Sequence, residues 1–261
     1  MRRLAKIVQI VEDLAPKPLP ELRMLDLASL TGSYSLEFAA RGCREVIGIE
    51  GRSSNVAEAE TRRQESGLDN ARFIVGNVND LSREAVGTFD VVLVLGILYH
   101  LTADDAARLV ANVFEVCDGF AVFDTHFSFT SEKRISCNGE EYDGRNYLEP
   151  ADSDRPNSPW ASIENRDSFW FTKPSLFNLI ARAGFTTVYE CAAPYLPPPE
   201  YPVDRTILVA FKGKTAQPVA AAARNLATVY TPERVEAIVT PHSQVSVPPW
   251  RSLIKRFTSL K

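Results

Sequence analysis

The sequence predicts an α/β fold in which a doubly wound sheet of mostly parallel strands carries helices on both faces. Three observations predict it. Between Arg23 and Gly213 short apolar runs alternate with helical stretches. Acids stand at the ends of the first two runs, Asp26 and Glu50. A chain of 261 residues, 45% hydrophobic and 24% charged, is ample for one such core.

The elements follow in order. In residues 1–22, Leu4, Ile7, Val8 and Val11 recur at helical spacing, so an amphipathic helix packs on the domain. Lys6, Gln9, Glu12 and Asp13 interrupt its apolar run, which argues against a secretory signal. The methyl-terminated and branched runs MLDLA (24–28), EVIGIE (45–50), ARFIVGN (71–77), FDVVLVLG (89–96) and GFAVFDTHF (119–127) read as parallel strands. Segments 53–66 and 102–116 read as helices, the second opened by a capping box of Thr102 and Asp105. Residues 128–168 read as an irregular insertion, and the aromatics Phe129, Tyr142, Tyr147 and Trp160 favour a lid over a linker. Thr172 before Lys173 and Pro174 starts a further helix, which Gly184 stops. Runs 186–193 and 205–213, joined by YLPPPEYP, form a terminal antiparallel pair.

Residues 23–213 thus form the main domain, and 214–261 a C-terminal extension. There Trp250, Leu253, Ile254 and Phe257 share one helical face. That face suits packing on the parent domain or a second subunit, so a homo-oligomer is an option; a membrane surface is the alternative. Cys43, Cys117, Cys137 and Cys191 include no C-x-x-C pair, which points to buried thiols in a reducing compartment, the cytoplasm. No apolar run reaches the roughly 18 residues of a membrane span. A net charge of -4 argues against a chain whose main business is coating nucleic acid.

The first strand and turn, Asp26-Leu27-Ala28-Ser29-Leu30-Thr31-Gly32, lack the G-x-G-x-x-G that lets a pyrophosphate approach the backbone. This disfavours a nicotinamide-dependent oxidoreductase. An acid ending the second strand, Glu50, is what a ribose needs. The stretch resembles the D-x-G-x-G-x-G motif of class I S-adenosylmethionine-dependent methyltransferases, with two of its three glycines replaced. IEGRSSN (49–55) resembles that family's ribose-binding segment, and FIVGNVNDL (73–81) its adenine-binding segment, with Asn77 for the more usual Asp. FDVVLVLGILYHL (89–101) resembles the subgroup of tRNA wobble-uridine carboxymethyl transferases and bacterial small-molecule and glycan methyltransferases.

The resemblance implies a seven-stranded Rossmann-like methyltransferase fold whose last strand is antiparallel. It implies S-adenosylmethionine as cofactor, S-adenosylhomocysteine as product, and a cofactor site at Asp26, Ala28, Ser29, Gly32, Glu50, Gly51, Asn77, Val78, Gly96 and Ile97. Proton removal from the acceptor needs a base at the carboxyl ends of the strands, where His100 and His126 fall, with Asp124 to orient one of them. Tyr99, Trp170 and Arg145 are the expected acceptor contacts. No acidic cluster has metal-ligand spacing, so no metal is expected. The expected function is O-methylation of a small molecule, sugar or glycan. Modification of a tRNA wobble base, or a non-catalytic scaffold with a degenerate cofactor site, are the alternatives.

Overall fold

The computed structural model describes residues 2–151, 162–163, 165–191 and 203–213. Trp160, the YLPPPEYP connector, His242 and the amphipathic face around Trp250 lie outside the described residues. In chain order the elements are α1 (Arg2–Leu14), β1 (Arg23–Leu27), α2 (Ser33–Ala40), β2 (Glu45–Glu50), α3 (Ser53–Glu65) and β3 (Ala71–Val75). Then come α4 (Arg83–Val86), β4 (Phe89–Leu95), α5 (Ala103–Val116), β5 (Cys117–His126), β6 (Lys133–Cys137) and β7 (Glu140–Leu148). The last are β8 (Asp167–Phe171), α6 (Lys173–Arg182), β9 (Thr187–Glu190) and β10 (Arg205–Phe211).

Seven strands form the predicted sheet in the order β3-β2-β1-β4-β5-β10-β9. The first five are parallel, and β10 runs antiparallel to both β5 and β9. Both faces of the inner strands are buried because side chains alternate. In β1, Leu25 and Leu27 join the cluster that α5 and α6 cover. Met24, on the opposite side of the pleat, joins the cluster under α1 and α2. Val92 and Val94 of β4 likewise face one way, Val91 and Leu93 the other. Ile7, Val8 and Val11 pin α1 to that second face, as their spacing predicted. Thr102 caps α5, accepting from the Asp105 N–H at 3.2 Å, and Thr172 caps α6.

The insertion departs from expectation. In place of an irregular stretch, β6, β7 and β8 form a separate antiparallel sheet, paired β6-β7-β8. β6 and β7 are polar because only one face is covered: Tyr142 and Gly144 alternate inward on β7 while their neighbours are partly or fully exposed. Gly144 is required, since a Cβ there would stand 2.3 Å from the Trp170 carbonyl oxygen. The hairpin turns at Asn138 (φ 52) and Gly139 (φ 80), two left-handed residues that match the strand twist.

Order reversal between β1 and β4 leaves a crevice at their carboxyl ends, the position where open α/β sheets take ligands.

Candidate active site

The turn after β1 builds one wall of that crevice. Asp26 is buried, its Oδ2 accepts from the Ser35 hydroxyl at 2.7 Å, and burial pushes its carboxyl up to about 7. Ala28 (φ 55), Leu30 (φ 49) and Gly32 (φ 78) are all left-handed. The turn therefore keeps a glycine backbone at two residues that carry a Cβ, at roughly 1–2 kcal/mol each. Its surroundings hold it there. Ser29 N–H donates to the Ile49 carbonyl at 3.1 Å, Gly32 N–H to that of Ser29 at 2.9 Å, and Arg62 to the Thr31 carbonyl at 2.6 Å. At Gly32 glycine is compulsory, since a Cβ would stand 2.5 Å from the Phe73 ring.

Glu50 closes β2 with its side chain buried in the same wall. Oε2 accepts from Leu30 N–H at 3.0 Å, and Oε1 from Arg52 N–H at 3.0 Å and Asn55 Nδ2 at 3.3 Å. Three donors fix the carboxylate, and a fourth lone-pair direction remains for a hydroxyl. The enclosing cavity measures about 650 Å³ and runs from Glu50 past Gly96 to His100. Ser162, Ile163 and Asn165 of the insertion form part of its wall. Gly51 makes room for the Ile163 side chain, which a Cβ would meet at 2.4 Å.

At the far end, the two histidines differ. His100 lines the cavity, and its Nδ1 is 2.9 Å from Glu149 Oε1. Burial alone would raise the Glu149 carboxyl, but hydrogen bonds from His100, Ser168 and Ser162 outweigh it and hold it below the usual carboxylate range. An ionised carboxylate only accepts, so Nδ1 carries a proton, and in the neutral ring the lone pair is on Nε2. His126 is committed elsewhere. Its Nδ1 faces Asp204 at 3.1 Å, and its Nε2 faces Arg205 Nη1, a pure donor, at 3.3 Å. Burial lowers the His126 pKa, and the neighbouring Arg205 charge lowers it further. It stacks on Trp170 at 4.8 Å and is not among the described residues that line the cavity.

Asp124, placed beside the histidines by sequence, orients neither. It is fully buried and accepts from Arg3 Nε through Oδ2 and from Arg205 Nε through Oδ1. Tyr99 lines the cavity, and its carbonyl accepts from Trp170 Nε1 at 3.0 Å. Trp170 is sandwiched between His126 and Tyr147, and Arg145 lies over it at 4.5 Å; neither Trp170 nor Arg145 is in the described lining.

Residues 24–118 match the family model described as a methyltransferase domain. Over those residues the chain is similar to a methyltransferase domain, and its sheet has the class I methyltransferase fold. The chain superposes on the N-terminal domain of EvdMO1, crystallised in the presence of SAH and D-fucose, with a TM-score of 0.65 and 23% identity, covering 82% of this chain and 84% of that one. It also superposes on Burkholderia thailandensis 1,6-didemethyltoxoflavin-N1-methyltransferase, bound to 1,6-didemethyltoxoflavin and S-adenosylhomocysteine, with a TM-score of 0.57 and 21% identity over 81% of this chain and 78% of that one. In sequence it is similar to the 23S rRNA (uracil(1939)-C(5))-methyltransferase RlmD of Xanthomonas oryzae pv. oryzae (strain MAFF 311018), 41% identical over 66 residues and 25% of this chain. The chain spans 15% of the length of that curated relative. The likenesses support the family resemblance but name no subgroup within it.

The walls of this domain's cavity fit S-adenosylmethionine. Among the described residues, the buried side-chain polar atoms without a partner are Ser29 Oγ, Asn79 Oδ1, Arg3 Nη2 and Arg205 Nη2. Ser29 and Asn79 line the part of the cavity that the cofactor set builds, where unpartnered polar atoms are what a polar cofactor requires; Arg3 and Arg205 line another part of the same cavity. Of the sequence-derived cofactor set, Asp26, Ala28, Ser29 and Glu50 line its first half, with Gly51, Asn77, Val78, Gly96 and Ile97 continuing it. Gly32 is the exception; it packs against Phe73 behind the wall. Sequence reasoning did not single out Arg3, Arg205 or Glu149. Arg205 carried a usable signal, a cation opening an otherwise apolar strand whose partner ends in Asp124-Thr125-His126. Among the described residues no three His, Cys, Asp or Glu converge as metal ligands, and no helix is long and apolar enough to cross a membrane.

Proposed function

We infer that the protein is a methyltransferase using S-adenosylmethionine, and that its acceptor is a hydroxyl on a small molecule or sugar. The observation that carries this reading is the placement of two devices in one cavity: Glu50 at one end and the His100–Glu149 pair at the other. Bound S-adenosylmethionine supplies an electrophilic methyl group. Glu50 holds a ribose hydroxyl, and Gly51, Asn77 and Val78 flank the adenine. His100 Nε2 would take the proton of the acceptor hydroxyl, while Glu149 would fix the ring and steady the imidazolium. His126 positions Arg205, and Ile163 restricts access to the cofactor from the insertion side, which makes the insertion a lid.

A cavity of about 650 Å³ lies within the roughly 300–1,000 Å³ of small-ligand sites, and the sugar present with the EvdMO1 domain agrees with that class. The partial similarity to RlmD keeps an RNA acceptor as a second reading. The partnerless polar atoms and the retained turn weigh against a scaffold that has lost its cofactor. Calorimetric titration with S-adenosylhomocysteine, then methyl transfer to a panel of hydroxylated sugars and to ribosomal RNA, tests the reading. Binding with turnover on sugars supports it; turnover on RNA alone replaces the acceptor, and no binding removes the whole proposal.

A further inference from the structure

Arg3 of α1 and Arg205 of β10 meet on the single carboxylate of Asp124. Each spends its Nε there, and each retains a buried Nη2 with no partner among the described residues. The Arg205 side chain is 10% exposed. The two free nitrogens converge. A Cβ built on Gly96 would lie 3.4 Å from Arg205 Nη2, 3.6 Å from Arg3 Nη2 and 3.6 Å from the Tyr99 hydroxyl oxygen. Two guanidinium nitrogens and the Tyr99 hydroxyl, whose oxygen also accepts from Arg205, thus surround one point on the cavity wall, and only glycine leaves that point open.

The charges there do not balance. Two guanidinium groups face one buried carboxylate. Asp204 is turned to His126. Asp26, an acid that lines the same cavity, is a weak counter-charge near neutral pH because burial pushes it up to about 7, and Glu50 is held by its own three donors. Buried cations in excess of their counter-ions are costly unless a ligand supplies the missing anion.

We propose that Arg3, Arg205 and Tyr99 form an oxyanion-binding subsite beside Gly96, and that the methyl acceptor carries a carboxylate or phosphate group that this subsite anchors. The inference rests on the methyltransferase reading for the word acceptor, and deepens it. Asp124 holds both guanidinium planes in place, so their paired Nη2 atoms meet an anion without further ordering. The anchored group would leave the acceptor hydroxyl free to approach His100, which lines the same cavity.

The test is titration of inorganic phosphate and of acetate, followed by the side-chain Nε–H resonances of Arg3 and Arg205. It is run on the protein alone, saturated with S-adenosylhomocysteine, and saturated with 5′-methylthioadenosine, which lacks the amino-acid carboxylate. The expected result is anion binding that persists in the S-adenosylhomocysteine complex. It should weaken about tenfold or more in Arg3→Gln and Arg205→Gln, each lost charge-assisted bond accounting for that factor. Affinity for S-adenosylhomocysteine should stay within about twofold. Should Arg205→Gln fail to fold around the stranded Asp124, the double variant Arg205→Gln with Asp124→Asn removes that charge and is titrated instead. Anion binding abolished by S-adenosylhomocysteine but kept with 5′-methylthioadenosine would assign the subsite to the cofactor's own carboxylate and overturn the proposal. Equal anion binding in wild type and variants would overturn it too. Failure of S-adenosylhomocysteine to bind wild type is a separate result; it removes the cofactor reading, while the arginine variants still decide the subsite.

Discussion

Replacing Ala28 by glycine should make the protein more stable, although glycine substitutions ordinarily do the reverse. Ala28 sits at φ 55, where an L-residue with a Cβ pays roughly 1–2 kcal/mol relative to the right-handed region. Glycine has no such penalty but frees the unfolded chain, which costs about 0.4–1 kcal/mol. The difference is a gain on the order of 0.5–1 kcal/mol, and for a domain of this size that raises Tm by about 1–4 °C. Ala57 provides the control. It is exposed in the middle of α3, where glycine brings the same loss with no strain to relieve, so Ala57→Gly should cost roughly 0.5–1 kcal/mol. The assay is thermal unfolding of both variants beside wild type, in buffer and with saturating S-adenosylhomocysteine. If Ala28→Gly lowers Tm as far as Ala57→Gly does, the strain argument is wrong. Leu30→Gly relieves a second left-handed residue (φ 49) but also removes a half-buried side chain from the cavity wall, so its gain should be smaller.

The other predictions concern chemistry. Glu50→Ala should weaken S-adenosylmethionine by about tenfold or more in calorimetry, since the one charge-assisted bond its remaining lone pair offers a ribose hydroxyl is lost; unaltered affinity would remove Glu50 from the site. His100→Gln should lower kcat by about 10²–10⁴-fold with little change in cofactor affinity, whereas His126→Gln should act through acceptor KM by loosening Arg205. Glu149→Leu should approach the His100→Gln loss and Glu149→Gln should recover part of it, because the amide oxygen still accepts from Nδ1; equal losses would mark Glu149 as structural only. Asp26 titrates at about 7 when folded and at the ordinary 3.8 when unfolded, so the folded state binds the extra proton between those values. Stability should therefore fall as pH rises through that window, and Asp26→Asn should flatten the decline in a series of melting curves.

How much of this was legible in the sequence depends on whether a residue's role is local. The parallel strands were legible because Leu25, Leu27, Val92 and Val94 alternate with Met24, Val91 and Leu93 in runs buried on both faces. The cap at Thr102 and the stop at Gly184 (φ 117) are decided within a few residues. The sheet of the insertion was not read because Lys133–Cys137 and Glu140–Leu148 bury one thin face, so their composition is that of a loop. Yet Asn138-Gly139 between them is the two-residue signature of a tight hairpin, and it was the available signal. Glu149 left no such mark. Its partner His100 is 49 positions away and reaches it only because Phe169 N–H of β8 donates to the Leu101 carbonyl.

The places where local rules fail are informative in themselves. Ala28 and Leu30 hold a backbone meant for glycine, Arg205 opens an apolar strand, and Ser29, Asn79, Arg3 and Arg205 keep buried polar atoms without partners. Each departure is destabilising alone, and a fold selected only for stability would not gather them. They all border one cavity, at the carboxyl ends of β1, β3 and β4 and beneath α1. A ligand that bonds those atoms returns free energy that the empty fold lacks, so saturation should raise Tm by mass action. The strained turn is held by Ile49, Ser29 and Arg62 rather than by the ligand, so its shape is ready before binding. In this domain the glycine motif is thus a statement about backbone shape, and two non-glycine residues satisfy it wherever enough neighbouring hydrogen bonds enforce that shape.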